Sequence, residues 1–222
     1  MTDSKKVAKT KTSKKNEAGF KNFSHKLTNF LKEWGLFTLF FLILILSRIF
    51  IWTSVSVDGH SMDPTLAANQ RLIVVKTAKI DRFDIVVAKE NENGKKKQIV
   101  KRVIGMPGDT ITYENDTLYV NGKKINESYL KEYRAAFAKD KLQSTYTSDY
   151  FRQLARSSSA FTVDKTGANN FTVIVPKGQY FLLGDDRIVS KDSREVGTFS
   201  KDAIVGEVKF RFWPVTKIGT VE

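Results

Sequence analysis

The sequence predicts a mainly β fold: a β-barrel or sheet domain with a small, partly helical insertion, behind one N-terminal transmembrane helix. Three observations carry this. An unbroken apolar run near the N-terminus has the length of a bilayer crossing. The residues after it fall into short stretches rich in Val, Ile, Phe and Tyr, and turn signals separate those stretches. The expected plan is a basic tail over 1–33, a transmembrane helix over 34–52 and an outer β domain over 53–222, with the insertion at about 130–170.

The tail holds nine lysines and three acids, 9 − 3 = +6 of a total formal charge of +13. Its first half is Lys/Ser/Thr-rich with little to bury and reads as disordered. A basic arm raises nucleic acid as a partner, but the lysine-rich first half has no interleaved aromatics to stack on bases, and the tail has no arginines to fork onto them. From Trp34 to Trp52 the run carries one charge, Arg48. At 1.5 Å per residue it spans about 28 Å, near the hydrocarbon thickness of a bilayer. Tryptophan at either end suits the two interfaces, and the lysine-rich side is expected in the cytoplasm. A buried globular helix and a cleavable leader, with Ser54-Val55-Ser56 as a small-x-small site, are the competing readings. The length of the run and of the charged segment before it favour a retained single-pass anchor in the cell membrane.

The outer domain offers strands at 71–76, 84–89, 98–104, 110–113, 117–120, 170–175, 180–183 and 204–212. Asn121-Gly122 is a tight-turn pair, and Pro107-Gly108-Asp109 and Pro176-Lys177-Gly178 punctuate the chain. Residues 127–160 have no Gly or Pro and favour helix.

The composition removes several chemistries. With no cysteine there is no disulfide, thiol nucleophile or Cys-based metal site, and no cofactor or metal is called for. The two histidines are His25 and His60. His25 belongs to the tail, and His60 adjoins Ser61, where neighbouring side chains in extended backbone diverge. A working hydroxyl in this chain therefore needs another base, and a desolvated lysine is the usual substitute.

Ser61 lies in V-D-G-H-S-M-D-P-T-L, bracketed by Gly59 and Pro64, and reads as a shaped loop or as a solvated turn serine. Lys101, in Q-I-V-K-R-V-I-G, shares a strand face with Ile99 and Val103, while Arg102 takes the other face with Val100 and Ile104. One of the two basic residues must then sit among aliphatic side chains. Lysine is the one whose pKa falls on burial; the alternative is a side chain that snorkels to water. A third segment, G-D-D-R-I-V-S-K-D-S-R, is polar enough to support a site or to be a solvated loop.

Together these stretches resemble the bacterial type I signal peptidases, membrane serine proteases that remove signal peptides from exported proteins. The likeness covers roughly 34–130 and 170–215, through G-x-S-M-x-P-T, D-I-V-V, K-R-V-I-G-M-P-G-D and G-D-D-R-x-x-S-x-D-S-R in order. It implies Ser61 as nucleophile, Lys101 as general base, Ser190 hydrogen-bonded to the lysine amine, and Asp192 with Arg194 as a supporting ion pair. Asp185 and Arg187 would belong to the support loop rather than the chemistry. The implied substrates are secretory preproteins with small residues at −3 and −1, with membrane phospholipids as a further partner and no nucleic acid. The walls of the groove are expected from strand 84–89 and the segment after Ser61, with Met62 meeting substrate or membrane.

Two positions depart from the family pattern. Asp186 stands where Asn is common, which puts the local hydrogen bonding in question. Gly59 stands where some members have a serine that helps hold the oxyanion. Two other functions remain: a signal-peptidase-like assembly factor that binds exported subunits without cutting, and a Ser/Lys self-cleaving switch. Loss of Ser61 or Lys101 would mark the first, and a DNA-binding domain in place of the apolar run would mark the second.

Overall fold

The computed structural model describes residues 26, 28–30, 32–92 and 94–221. His25 and most of the tail expected to be disordered lie outside the described residues. The chain divides into two units, Met1–Ile49 and Phe50–Glu222.

In the first unit, helix α1 (Lys32–Phe50) is long and apolar enough to cross a membrane, and none of its apolar window is buried in the protein. The hydroxyls of Thr38 and Ser47 donate to carbonyls of their own helix, Trp34 at 3.0 Å and Leu44 at 2.8 Å. Polar side chains satisfied within the helix suit a segment without water around it. The helix ends two residues before the expected boundary, so Trp52 does not close it. Trp52 opens strand β1 (Trp52–Ser56) instead, because Thr53 and Val55 favour extended backbone and a partner strand is available.

The second unit is mainly antiparallel β. β1 pairs with β2 (Arg71–Val75) in a register that sets Ser54 opposite Ile73 and Ser56 opposite Arg71, so the small-x-small pattern lies inside a ladder. β3 (Ile85–Glu92) and β4 (Lys95–Gly105) form a long hairpin, Ile85 opposite Arg102 and Val86 opposite Lys101. β5 (Thr110–Glu114), β6 (Thr117–Val120) and β7 (Lys123–Ile125) follow as a meander. Asn121 and Gly122 take φ of 51° and 77°, the doubly left-handed turn that Asn-Gly favours. The segment read as helical forms α2 (Lys131–Asp140) and α3 (Asp149–Ser157), broken between them at Lys141 and Leu142, which have positive φ.

β8 (Asn170–Ile174) joins β5 to complete a four-stranded sheet in the order β7-β6-β5-β8. β9 (Gln179–Leu183), the short helix α4 (Ser193–Val196), β10 (Phe199–Ser200), β11 (Ile204–Trp213) and β12 (Gly219–Thr220) complete the chain. The large sheet runs β1-β2-β11-β3-β4-β9-β10, with β12 beside β11. β9 pairs with β4 only from Arg102 onward. Among the described residues, β4 up to Lys101 is therefore laddered on its β3 side alone, and β1 pairs with β2 alone.

Three of the apolar cores position the site. Val57, Met62, Leu66, Leu72, Val74, Ile85, Val87 and Val208 pack under the β1–β2 loop. Ile104, Ile111, Tyr113, Leu118, Val120, Val175, Phe181 and Leu183 join the end of β4 and β9 to the small sheet. The insertion has its own core around Leu130, Phe137, Leu142, Tyr146 and Phe161.

Candidate active site

Ser61 rides on the loop between β1 and β2, and burial on both sides of it holds the loop. Val57, Met62 and Leu66 are at most 4% exposed, and Val57 N–H donates to Gln70 C=O at 2.8 Å. Met62 thus belongs to the core and faces neither substrate nor membrane; a side chain of that size gains more from burial there than from partial exposure. Gly59 has φ +83°, a conformation L residues rarely adopt, so the loop needs a glycine where a family serine would bring its hydroxyl.

Lys101 comes from β4 and is 3% exposed. Its Nζ donates to Ser61 Oγ at 2.6 Å. Burial lowers its pKa to about 8, against the opposing pull of the Asp192 and Glu90 carboxylates. Arg102 is buried as well, so alternation does not decide between the two basic residues; this stretch of β4 is covered on both faces. Arg102 holds Asp185 with two bonds, Nε to Oδ1 at 2.9 Å and Nη2 to Oδ2 at 2.8 Å, and its guanidinium lies 4.0 Å from the Tyr129 ring centre. A guanidinium satisfies itself with a fork onto a carboxylate, whereas an amine left among aliphatic groups loses charge instead.

Asp192 and Arg194 form the bidentate pair that the resemblance implies, both contacts 2.8 Å. Asp192 Oδ2 also accepts the Gly184 N–H at 3.0 Å, and Oδ1 caps α4 through Arg194 N–H at 3.2 Å. The carboxylate is held below its ordinary pKa: burial opposes ionisation, but Arg194 and then Lys101 outweigh it. Ser190 differs from expectation. Its buried Oγ has no hydrogen-bond partner among the described residues, and the Lys101 amine is directed to Ser61 instead. Gly184 has to be glycine at this point, because a Cβ would collide with Ser190 Oγ and with the Ser61 carbonyl.

The aspartate at 186 finds its partner in the insertion. Tyr146 Oη donates to Asp186 Oδ1 at 2.7 Å, while Asp186 N–H donates to the Ser61 carbonyl at 3.1 Å and Asp186 C=O accepts from Ser190 N–H at 3.1 Å. Burial pushes the Asp186 carboxyl up to about 7. Arg187 points away from the site: its guanidinium donates to Glu127, to Tyr113 Oη at 2.8 Å and to the Gly184 carbonyl at 2.9 Å.

His60 donates to or accepts from Asp63 at 2.8 Å through Nδ1, and Ser61 Oγ has Lys101 rather than His60 as its partner. A cavity of about 380 Å³ opens over the pair. Its walls are Ser56 and Asp58 to His60 before the serine, Gln98 to Val100 of β4, Glu90, Lys191, Val189 and Phe151. The expected walls are thereby corrected: β3 contributes Glu90, and the segment before Ser61 lines the cavity rather than the one after, which dives into the core. Glu90, Tyr146 and Phe151 were not legible as site residues, since the insertion carries no motif and Glu90 sits in a run of charges.

A family model for signal peptidase, peptidase S26, matches residues 31–213. The signal peptidase I of Streptococcus pneumoniae (strain ATCC BAA-255 / R6) is 59% identical over 200 residues, covering 86% of this chain and 97% of that protein. Signal peptidase IB of Staphylococcus aureus (strain Mu50 / ATCC 700699) is 41% identical over 181 residues, covering 80% and 86%. The crystal structure of a signal peptidase I from Enterococcus faecalis V583 aligns with TM-score 0.42 and 29% identity, covering 59% of this chain and 97% of that one. The chain is thus a hydrolase of the serine peptidase class. It belongs to the signal peptidase family, peptidase S26, with the bacterial type I enzymes.

Proposed function

We propose that the chain is a membrane-anchored endopeptidase that cuts signal peptides from secretory preproteins, with Ser61 as nucleophile and Lys101 as general base. The observation that carries this is the 2.6 Å contact between Ser61 Oγ and a buried amine with a lowered pKa. In its neutral form, Lys101 Nζ takes the Ser61 proton as Oγ attacks the scissile carbonyl, then returns it to the leaving amine. Water, deprotonated by the same nitrogen, releases the acyl group. The Ser61 backbone N–H supplies the oxyanion donor that Gly59 lacks. Ser190, with its unsatisfied hydroxyl, receives the amine once Ser61 is acylated. Asp192 and Arg194 hold the support loop beneath it.

The topology supports an extended substrate. β4 before Arg102 offers an edge that borders the cavity, and a peptide strand laid there gains backbone hydrogen bonds. Shallow apolar pockets on such a groove accept small residues at −3 and −1. α1 is the single-pass anchor, its lysine-rich side cytoplasmic and the β domain extracytoplasmic. Outside the tail, 13 − 6 = +7 remains, a charge that favours anionic phospholipid headgroups.

The test incubates the detergent-solubilised full chain with a preprotein and sequences the new N-terminus. Wild type is expected to cut after a small residue, and Ser61→Ala is expected not to. Intact preprotein with wild type would favour the assembly-factor reading, and cutting by Ser61→Ala would remove Ser61 from the chemistry.

A further inference from the structure

The insertion reaches the catalytic cavity through one side chain. Phe151, in the first turn of α3, lines the same cavity as Ser61 and Lys101, and it also packs against the insertion's own core, to which α3 contributes Ala155. It is only half-buried. Its ring stands edge-on to His60, with centroids 5.6 Å apart and planes at 74°. It also meets Tyr146, at 5.6 Å and 66°. Both neighbours are themselves fixed, His60 by Asp63 at 2.8 Å and Tyr146 by Asp186 at 2.7 Å. Edge-to-face rings held this way form a preorganised apolar surface, and little freedom is lost when a ligand covers it. Val189 of the support loop adds an aliphatic side chain to the same cavity. The cavity is also lined by Gln98 to Val100, the strand edge along which a peptide backbone would lie.

We propose that Phe151 and His60 form a substrate subsite for one bulky apolar or aromatic side chain beside the scissile bond, at a position other than the two that require small residues. The inference rests on the peptidase reading and deepens it. A peptide that fills the groove alternates its side chains between the two faces of its strand. Small side chains turn into the shallow pockets, and a side chain of the opposite phase meets the aromatic corner. The insertion thus adds a preference that the dyad and its support loop do not supply. Phe151 contacts substrate and takes no part in proton transfer.

The experiment measures kcat and KM on peptides carrying alanine at −3 and −1, with Phe or Gly placed in turn at every other position flanking the cut. Wild type is expected to favour Phe over Gly at one position, through KM. Phe151→Ala is expected to erase that preference, raising KM about 10-fold more for the Phe peptide than for the Gly peptides. The pH midpoint of kcat/KM stays as in wild type. Phe151→Leu keeps an apolar wall and most of the preference, which separates lost contact from a damaged fold. As an arm independent of turnover, a photoreactive benzoylphenylalanine at position 151 in the Ser61→Ala chain is expected to cross-link the uncut Phe peptide and not the Gly peptide. An equal loss for all peptides with Phe151→Ala, or no change for any, overturns the subsite, as does the absence of a selective cross-link. Failure of wild type to cut any peptide, with the selective cross-link present, would instead sink the peptidase reading and leave the subsite standing.

Discussion

Replacing Lys101 by methionine is expected to lower kcat/KM on a preprotein by on the order of 10⁴-fold or more, because it removes the amine hydrogen-bonded to Ser61 Oγ, the proposed acceptor of its proton. The same substitution is expected to make the protein more stable, and the two effects have one cause. The amine is 3% exposed and its pKa is lowered to about 8 from an ordinary 10.5. Below pH 8 the folded protein carries a buried ammonium, and a lowering of roughly 2.5 units corresponds to about 3 kcal/mol in favour of the unfolded state. For this group the folded pKa lies under the unfolded one, so the destabilisation is greatest at low pH and fades as pH rises from about 8 to 10.5. Methionine fills similar space without the charge, so a gain of about 1–3 kcal/mol at pH 6–7 is expected in denaturant unfolding, less the lost bond to Ser61. Loss of both activity and stability would mean that Lys101 braces the fold rather than serving the reaction.

The second large effect lies away from the cavity. Glu127 and Arg187 have no exposed side-chain surface and pair directly. Glu127 also accepts from Tyr129 Oη at 2.7 Å, Tyr113 Oη at 2.9 Å and Arg134 at 2.7 Å. Burial opposes ionisation of Glu127, but Arg187 overrides it and the carboxyl stays below its usual range. This knot joins the start of the insertion to the support loop and to β5. Glu127→Ala strands the Arg187 charge with no carboxylate and is expected to cost about 3–5 kcal/mol. Glu127→Gln keeps several hydrogen bonds and should cost less. Unfolding midpoints of the full chain in urea decide it. A loss under about 1 kcal/mol for Glu127→Ala would show that water or a rearranged partner reaches the site, against its burial.

What the sequence disclosed follows from where physical constraint is local. Alternation in Thr117–Val120 and the Asn121-Gly122 turn are readable because φ preference and period act on neighbouring residues. β7, β10 and β12 are two or three residues long and exist only because a neighbouring strand pairs with them, so no local pattern announces them. β1 was hidden for another reason: Trp52 reads equally well as an interface residue and as a strand residue.

The site divides the same way. Ser61, Lys101, Asp192 and Arg194 were visible through motifs, and the structure brings all four into one neighbourhood. The partner of Asp186 was not, because Tyr146 reaches it across 40 residues from a segment without a motif. Nor did strand alternation reveal that Lys101 and Arg102 are both buried; that depends on Asp185, 83 residues further on, taking the guanidinium.

The proposed base is a buried lysine whose pKa burial lowers to about 8. The pH dependence of kcat/KM on a cleavable peptide tests it most directly. Only the neutral amine accepts the Ser61 proton, so the rate is expected to rise roughly tenfold per pH unit from acid and to level off above the midpoint. The expected midpoint is about 8. A flat profile, or a midpoint near the ordinary histidine value of about 6.5 that disappears in His60→Gln, would contradict it and move the base to the imidazole next door.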